Sequence, residues 1–133
     1  MESRISQVIF AVPGVKGIEF GAGFECGAMT GSRCNDPFYT DNGTVRTLTN
    51  HSGGIQGGMT NGMPLLLRVA MKPTPSIALP QQSVSLSRME NTVLTVKGRH
   101  DPCIGVRAVP AAEAALGIAL MDALLEEEEN GAE

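Results

Sequence analysis

The run VPAAEAALGIALMDALLEEEEN, Val109–Asn130, does most to limit what this chain can fold into. It reads as a helix, and Pro110 suits its first turn. Ala112, Ala115, Leu116, Ala119, Leu120, Ala123 and Leu124 form a wide apolar stripe along it. A stripe so rich in alanine requires a second element in close contact. Glu126–Glu129 stand where the helix dipole disfavours negative charge, so that end is expected to fray.

Candidate partners lie upstream. Ile5, Val8, Ile9 and Val12 have helical spacing over residues 3–12, and Pro13-Gly14 stops the run. VKGIEFG (Val15–Gly21) alternates and predicts a strand, with Lys16, Ile18 and Phe20 opposite Val15, Gly17 and Glu19. GFECGAMTG (Gly23–Gly31) predicts one short helical stretch. Residues 32–61 read as a long polar loop, of the kind that is usually functional or mobile. PLLLRVAMK, residues 64–72, predicts a strand with Leu65, Leu67, Val69 and Met71 on one face. Leu66, Arg68, Ala70 and Lys72 take the other face. A hairpin-like excursion over residues 77–90 leads to a strand at NTVLTVK (Asn91–Lys97). Neither a repeat nor a domain linker interrupts this order, so residues 1–133 read as one α+β domain.

Charge is distributed unevenly. Residues 1–42 carry three Lys/Arg against five Asp/Glu, residues 43–110 seven against two, and residues 111–133 none against seven. A basic middle within an acidic chain suits a small anionic ligand. Nucleic acid is not expected, because one Tyr and four Phe supply too little stacking surface. Three cysteines, Cys26, Cys34 and Cys103, form no CxxC pair and predict reduced thiols rather than a disulfide framework. Two histidines, His51 and His100, with scattered cysteines make no metal site. No apolar run is expected to reach transmembrane length, and no signal-peptide layout opens the chain.

Three stretches could carry chemistry. Gly53, Gly54, Gly57, Gly58 and Gly62 could bare backbone N–H groups to an anion or a flat ring, or simply form a surface loop. In KPTPS, Pro73 and Pro75 stiffen a segment holding Lys72, Thr74 and Ser76. That suits a phosphate or a ring carbonyl, but prolines also mark the exit of an edge strand. GRHDPC sets Arg99, His100 and Asp101 in succession after a strand. Arg99 suits bidentate anion recognition and Asp101 can accept a proton, unless the two form only a surface ion pair.

AVPGVKGIEFGAGFECGAMTGSRCNDPF, NHSGGIQGGMTNGMPLLLRVAMKPTPSI and GRHDPCIGVRAVPAAEAALGIALMDALL resemble, in this order, the C-terminal part of chorismate synthase. The resemblance runs from about Ser3 to Leu125. It implies the C-terminal portion of a β/α/β sandwich, with antiparallel strands packed on helices. It also implies a shikimate-pathway lyase of the cytoplasm that makes chorismate from 5-enolpyruvylshikimate 3-phosphate by 1,4-elimination of phosphate. Reduced FMN is the implied cofactor, NADP a linked nucleotide, and a homotetramer the implied assembly.

By motif, the resemblance puts Pro13, Gly14, Gly57, Lys72, Pro73, Thr74, Pro75, Ser76 and Arg99 at the FMN site. It makes Asp101 the catalytic carboxylate that helps move a proton. The family's N-terminal half, with its GESHG-like histidine and most substrate-binding arginines, has no counterpart here, and neither His51 nor His100 sits in those motifs. A fragment or a partner chain that supplies the rest is expected. A non-catalytic flavin-binding or assembly module, and an inactive gene fragment, remain the alternatives.

Overall fold

The computed structural model describes residues 1–100 and 103–131. In chain order come α1 (Glu2–Phe10), β1 (Val15–Phe20), a 3-10 helix (Gly23–Ala28) and α2 (Gly31–Cys34). Then follow β2 (Phe38–Asp41), β3 (Thr44–Thr47), β4 (Ile55–Gln56), β5 (Met59–Thr60) and β6 (Leu67–Met71). The last three are β7 (Gln81–Ser85), β8 (Glu90–Leu94) and α3 (Gly105–Asn130). The strands pair antiparallel as β1–β6, β2–β3, β4–β5 and β7–β8. The architecture is α+β, with antiparallel strands packed on helices, as the sequence predicts.

The core forms where α1 and α3 meet above β1–β6. Ile5 and Ile9 are fully enclosed, joined by Val15, Ile55, Ala115 and Ala119. Burying one isoleucine contributes about 1.5–3 kcal/mol. Alanine at positions 115 and 119 lets the two helices approach closely, as the stripe requires. On β6 the predicted alternation holds: Leu65, Leu67, Val69 and Met71 pack on the core, and Leu66, Arg68, Ala70 and Lys72 are exposed. On β1 it fails at one point. A register shift between Val15 and Gly17 turns Val15 to the same side as Ile18 and Phe20.

Several boundaries differ from expectation. Residues 32–61 are not one loop. Asn42-Gly43, at φ 48° and 82°, closes the β2–β3 hairpin, and Gly57-Gly58, at 59° and 82°, closes β4–β5. The stretch Gly23–Gly31 divides into the 3-10 helix and the start of α2. The excursion at 77–90 contains β7, which pairs with β8, and β8 stops at Leu94 rather than Lys97. α3 begins at Gly105, so Pro110 lies beyond its first turn.

The end of α3 stays helical through Asn130, contrary to the predicted fraying. Arg4 of α1 pairs with Glu126, and Asn130 Nδ2 donates to the Glu126 carbonyl at 2.8 Å. α3 is also long and apolar enough to cross a membrane by length and composition, with mean hydropathy 1.6, which corrects the sequence expectation. A mostly buried core helix meets the same measure, whereas here only Ala115 and Ala119 are buried among the described residues of α3.

Candidate functional site

The turn after α1 holds the centre of the candidate site. Gly14 has φ +90°, which a side chain would resist. Its carbonyl accepts a 2.7 Å hydrogen bond from the backbone N–H of Lys72, just past β6. A Cβ on Gly14 would stand 2.7 Å from Ile104 Cδ1 and 3.2 Å from Met71 Cε. Thus Pro13-Gly14, the start of KPTPS and the entry to α3 converge. Lys72, Pro73, Pro75 and Ser76 are exposed, whereas Thr74 is half-buried. Thr74 Oγ1 is enclosed and has no hydrogen-bond partner among the described residues. Leaving such a hydroxyl unpaired costs about 1–3 kcal/mol, so the position suits a ligand that pairs with it.

Electrostatics separate the two cations of β6. Arg68 Nε lies 2.7 Å from Glu19 Oε1 and is balanced within the sheet. Lys72 projects to solvent at the strand's end. Arg99 is also exposed, and His100 Nε2 lies 3.2 Å from the Val96 carbonyl. Asp101 lies outside the described residues. No group of three or more His, Cys, Asp or Glu positioned to hold a metal occurs among the described residues.

The glycine-rich stretch divides by role. Gly53 and Gly54 are buried against backbone: a Cβ on Gly53 would collide with Gly21, and one on Gly54 would stand 2.7 Å from the Pro64 carbonyl oxygen. Their bareness serves contact of the chain with itself. Gly57 and Gly58 are exposed and crowd nothing. The Gly58 carbonyl accepts from the Met1 amino group at 2.8 Å, so this turn sits at the start of α1. Gly14 sits past the other end of that nine-residue helix. About 13 Å of helix therefore separates Gly57 from the Gly14–Lys72 cluster, and the fold does not bring them together.

A second cluster is not evident from the sequence. The Asp36 side chain is fully enclosed. Its Oδ1 accepts from Thr49 Oγ1 at 2.7 Å and from the His51 N–H at 2.8 Å, and its Oδ2 accepts from the Ser52 N–H at 2.9 Å. Burial by itself would push this carboxyl up. The hydrogen bonds from Thr49, Ser52 and His51 outweigh it and hold the carboxyl at about 2. His51 Nδ1 lies 3.2 Å from Asp36 Oδ1 without the alignment of a hydrogen bond. The His51 carbonyl accepts from Ala22 at 2.8 Å, which ties the stretch before Gly53 to the end of β1. Asp36 precedes a proline inside a polar run, and only the convergence of Thr49, His51 and Ser52 reveals it.

The family model for chorismate synthase matches residues 1–125. The chain belongs to the chorismate synthase family. It is 50% identical over 126 residues to chorismate synthase of Methanothermobacter thermautotrophicus, covering 94% of this chain and 34% of that protein. Against the chorismate synthase of Dehalococcoides mccartyi the identity is 51% over 125 residues, covering 94% and 34%. A crystal structure of chorismate synthase superposes with TM-score 0.66 at 35% identity, covering 95% of this chain and 30% of that one. The chain thus spans about a third of the length of the curated relatives it matches. The Gly14–Lys72 cluster and the Asp36 cluster both fall within the region matched to chorismate synthase.

Proposed function

We propose that this chain forms the flavin-holding part of a chorismate synthase, which eliminates phosphate from 5-enolpyruvylshikimate 3-phosphate to give chorismate. The observation that carries the reading is the anchoring of exposed Lys72 to Gly14, two residues before the enclosed and unpaired Thr74 hydroxyl. A buried hydroxyl beside an exposed ammonium fits an anionic, acceptor-rich group such as FMN. When bound, reduced FMN supplies the redox-active ring that the elimination requires, and it is not consumed overall.

The chain's own residues bind and orient. Lys72 offers its ammonium to flavin or phosphate charge, and the Thr74 and Ser76 hydroxyls donate to acceptors on the same ligand. Pro73 and Pro75 keep that segment extended, so little entropy is lost on binding. By the family resemblance, Arg99 would meet the substrate anion and the flavin, and Asp101 would help move a proton there. Gly57, at the far end of α1, would touch a flavin held elsewhere in the assembly. The openness of the ledge favours completion by the rest of the family's length or by other chains of a homotetramer.

Titration of FMN with this chain, followed by flavin fluorescence, tests the reading. The chain is measured alone and with the remainder of a relative supplied as a second polypeptide. Saturable quenching is expected, weakened about tenfold in Lys72→Ala, since a charge-assisted contact is worth about 1.5–3 kcal/mol. Turnover of the phosphorylated substrate is expected only in the reconstituted mixture. Unchanged affinity in Lys72→Ala would overturn the assignment of the ledge. Saturable binding with no turnover in the mixture would favour a non-catalytic flavin-binding module.

A further inference from the structure

The face of β1–β6 turned away from the core carries a knob and a hole side by side. Gly17 and Ala70 are cross-strand partners, and a Cβ on Gly17 would stand 3.5 Å from that of Ala70, so the sheet surface there is low and flat. With Glu19, Arg68 and Phe24 they line a cavity of about 360 Å³. Phe24 stands at its edge, 90% exposed. A second cavity of about 340 Å³, with Glu2, Phe20 and Gly23 in its lining, opens on the other side of the ring. The ring is bare, yet its backbone is fixed. Glu19 Oε2 accepts from the Phe24 N–H at 3.1 Å, and Glu19 Oε1 lies 2.7 Å from Arg68 Nε. Gly23 has φ +55°, and a Cβ on it would collide with the Glu19 carboxylate. An exposed aromatic on a fixed backbone beside an open cavity is arranged as an interface anchor.

We propose that this face binds a second copy of the chain about a twofold axis, with Phe24 of each protomer seated on the Gly17–Ala70 floor of its partner. A twofold contact needs a patch that is complementary to itself. Knob and hole are adjacent here, so a half-turn brings each knob over the other's hole. The charges meet the same condition. Arg68 and Glu19 stand side by side, their side chains 55% and 25% exposed, and the half-turn sets Arg68 of one protomer toward Glu19 of the other. Two rings meeting near the axis gain further from offset contact. The rings and the surfaces that receive them remove about 600–1,000 Å² from water, below the size of most stable interfaces, so the dimer is weak. α1 and α3 pack on the opposite side of the ribbon, and the pairing leaves that layer untouched and requires no flavin.

Sedimentation velocity of the full chain, from low micromolar to several hundred micromolar, tests the pairing. A monomer–dimer equilibrium is expected. Phe24→Ala removes the knob and should weaken the dimer at least about tenfold, while urea unfolding of the dilute chain stays unmoved because the ring is exposed. Ala70→Trp fills the hole from its floor and should weaken the dimer with the knob intact. Neither variant alone can seat a knob in a hole, but an equal mixture can seat one. Association is therefore expected to return in the mixture, which loss of fold in either variant would not allow. A parent chain that stays monomeric throughout, or a dimer equally strong in both variants, would overturn the proposal. So would a mixture with the remainder of a relative in which the added polypeptide dissolves the dimer and Phe24→Ala weakens the new complex, since the face would then belong to that remainder.

Discussion

β1–β6 and β7–β8 are both antiparallel two-stranded ribbons with strands of similar length, yet their surroundings differ completely. The first lies under α1 and α3 and turns Val15, Ile18, Leu67 and Val69 into the core. Among the described residues the second has no extensive contact with another element, and it leaves Val84, Leu86, Met89 and Val93 exposed. An isolated hairpin is marginal in water. What stabilises a ribbon here is therefore the helix layer above it and not the strand pairing. The candidate flavin ledge joins the two ribbons: Lys72 is anchored to Gly14 at the packed end, and Ser76 leads out toward the unpacked one.

The largest effect should come from the packed side. Ile9→Ala removes a fully enclosed side chain between α1, α3 and the sheet and should cost about 2–5 kcal/mol. Urea unfolding of the chain measures this. A cost below about 1 kcal/mol would mean that the two helices collapse freely onto the cavity, and the contrast between the ribbons would weaken.

The next effect tests the tie between β1 and the glycine stretch. The Asp36 carboxyl is held at about 2, below the ordinary value of about 3.9 in an unfolded chain. A depressed folded value means that the contribution is fully present above about pH 4 and is lost as pH falls toward 2. Asp36→Asn should therefore cost on the order of 2 kcal/mol at pH 7. The stability curves of parent and variant should converge near pH 2. Parallel curves across that range would show that the carboxylate's charge contributes nothing.

How much of this was legible in the sequence depends on how local the signal is. The faces of β6 follow from alternation, and the small residues of α3 follow from helical period, because both are set by neighbours along the chain. The position of Val15 is not legible, because a register shift against Met71 reverses the alternation. The β2–β3 hairpin carries a local signal in Asn42-Gly43, but the surrounding polar residues masked it. Two features depend on long-range contact and leave no pattern at all. One is the Asp36 cluster, whose partners lie thirteen or more residues away. The other is the burial of Gly53 against Gly21, which reserves for packing a glycine that the sequence offers to a ligand. Within the KPTPS motif, the sequence marks the segment, and the fold distinguishes Thr74 from its exposed neighbours.

The smallest effect is the most informative about the unpacked ribbon. Leu86 is 79% exposed and Met89 85%, both in the turn that joins β7 to β8. Surface changes of this kind stay within about 0.5 kcal/mol, so Leu86→Ser should leave urea unfolding of this chain almost unmoved. Amide exchange should agree: β7–β8 should exchange far faster than β1–β6, because local opening of the hairpin breaks no core contact. In a mixture with the remainder of a relative, the expectation changes. If the added polypeptide covers the hairpin, its amides slow, and Leu86→Ser then weakens association although it does not weaken the fold. Slow exchange of the hairpin in this chain alone would break the comparison, since the strand pairing would then suffice without a helix layer.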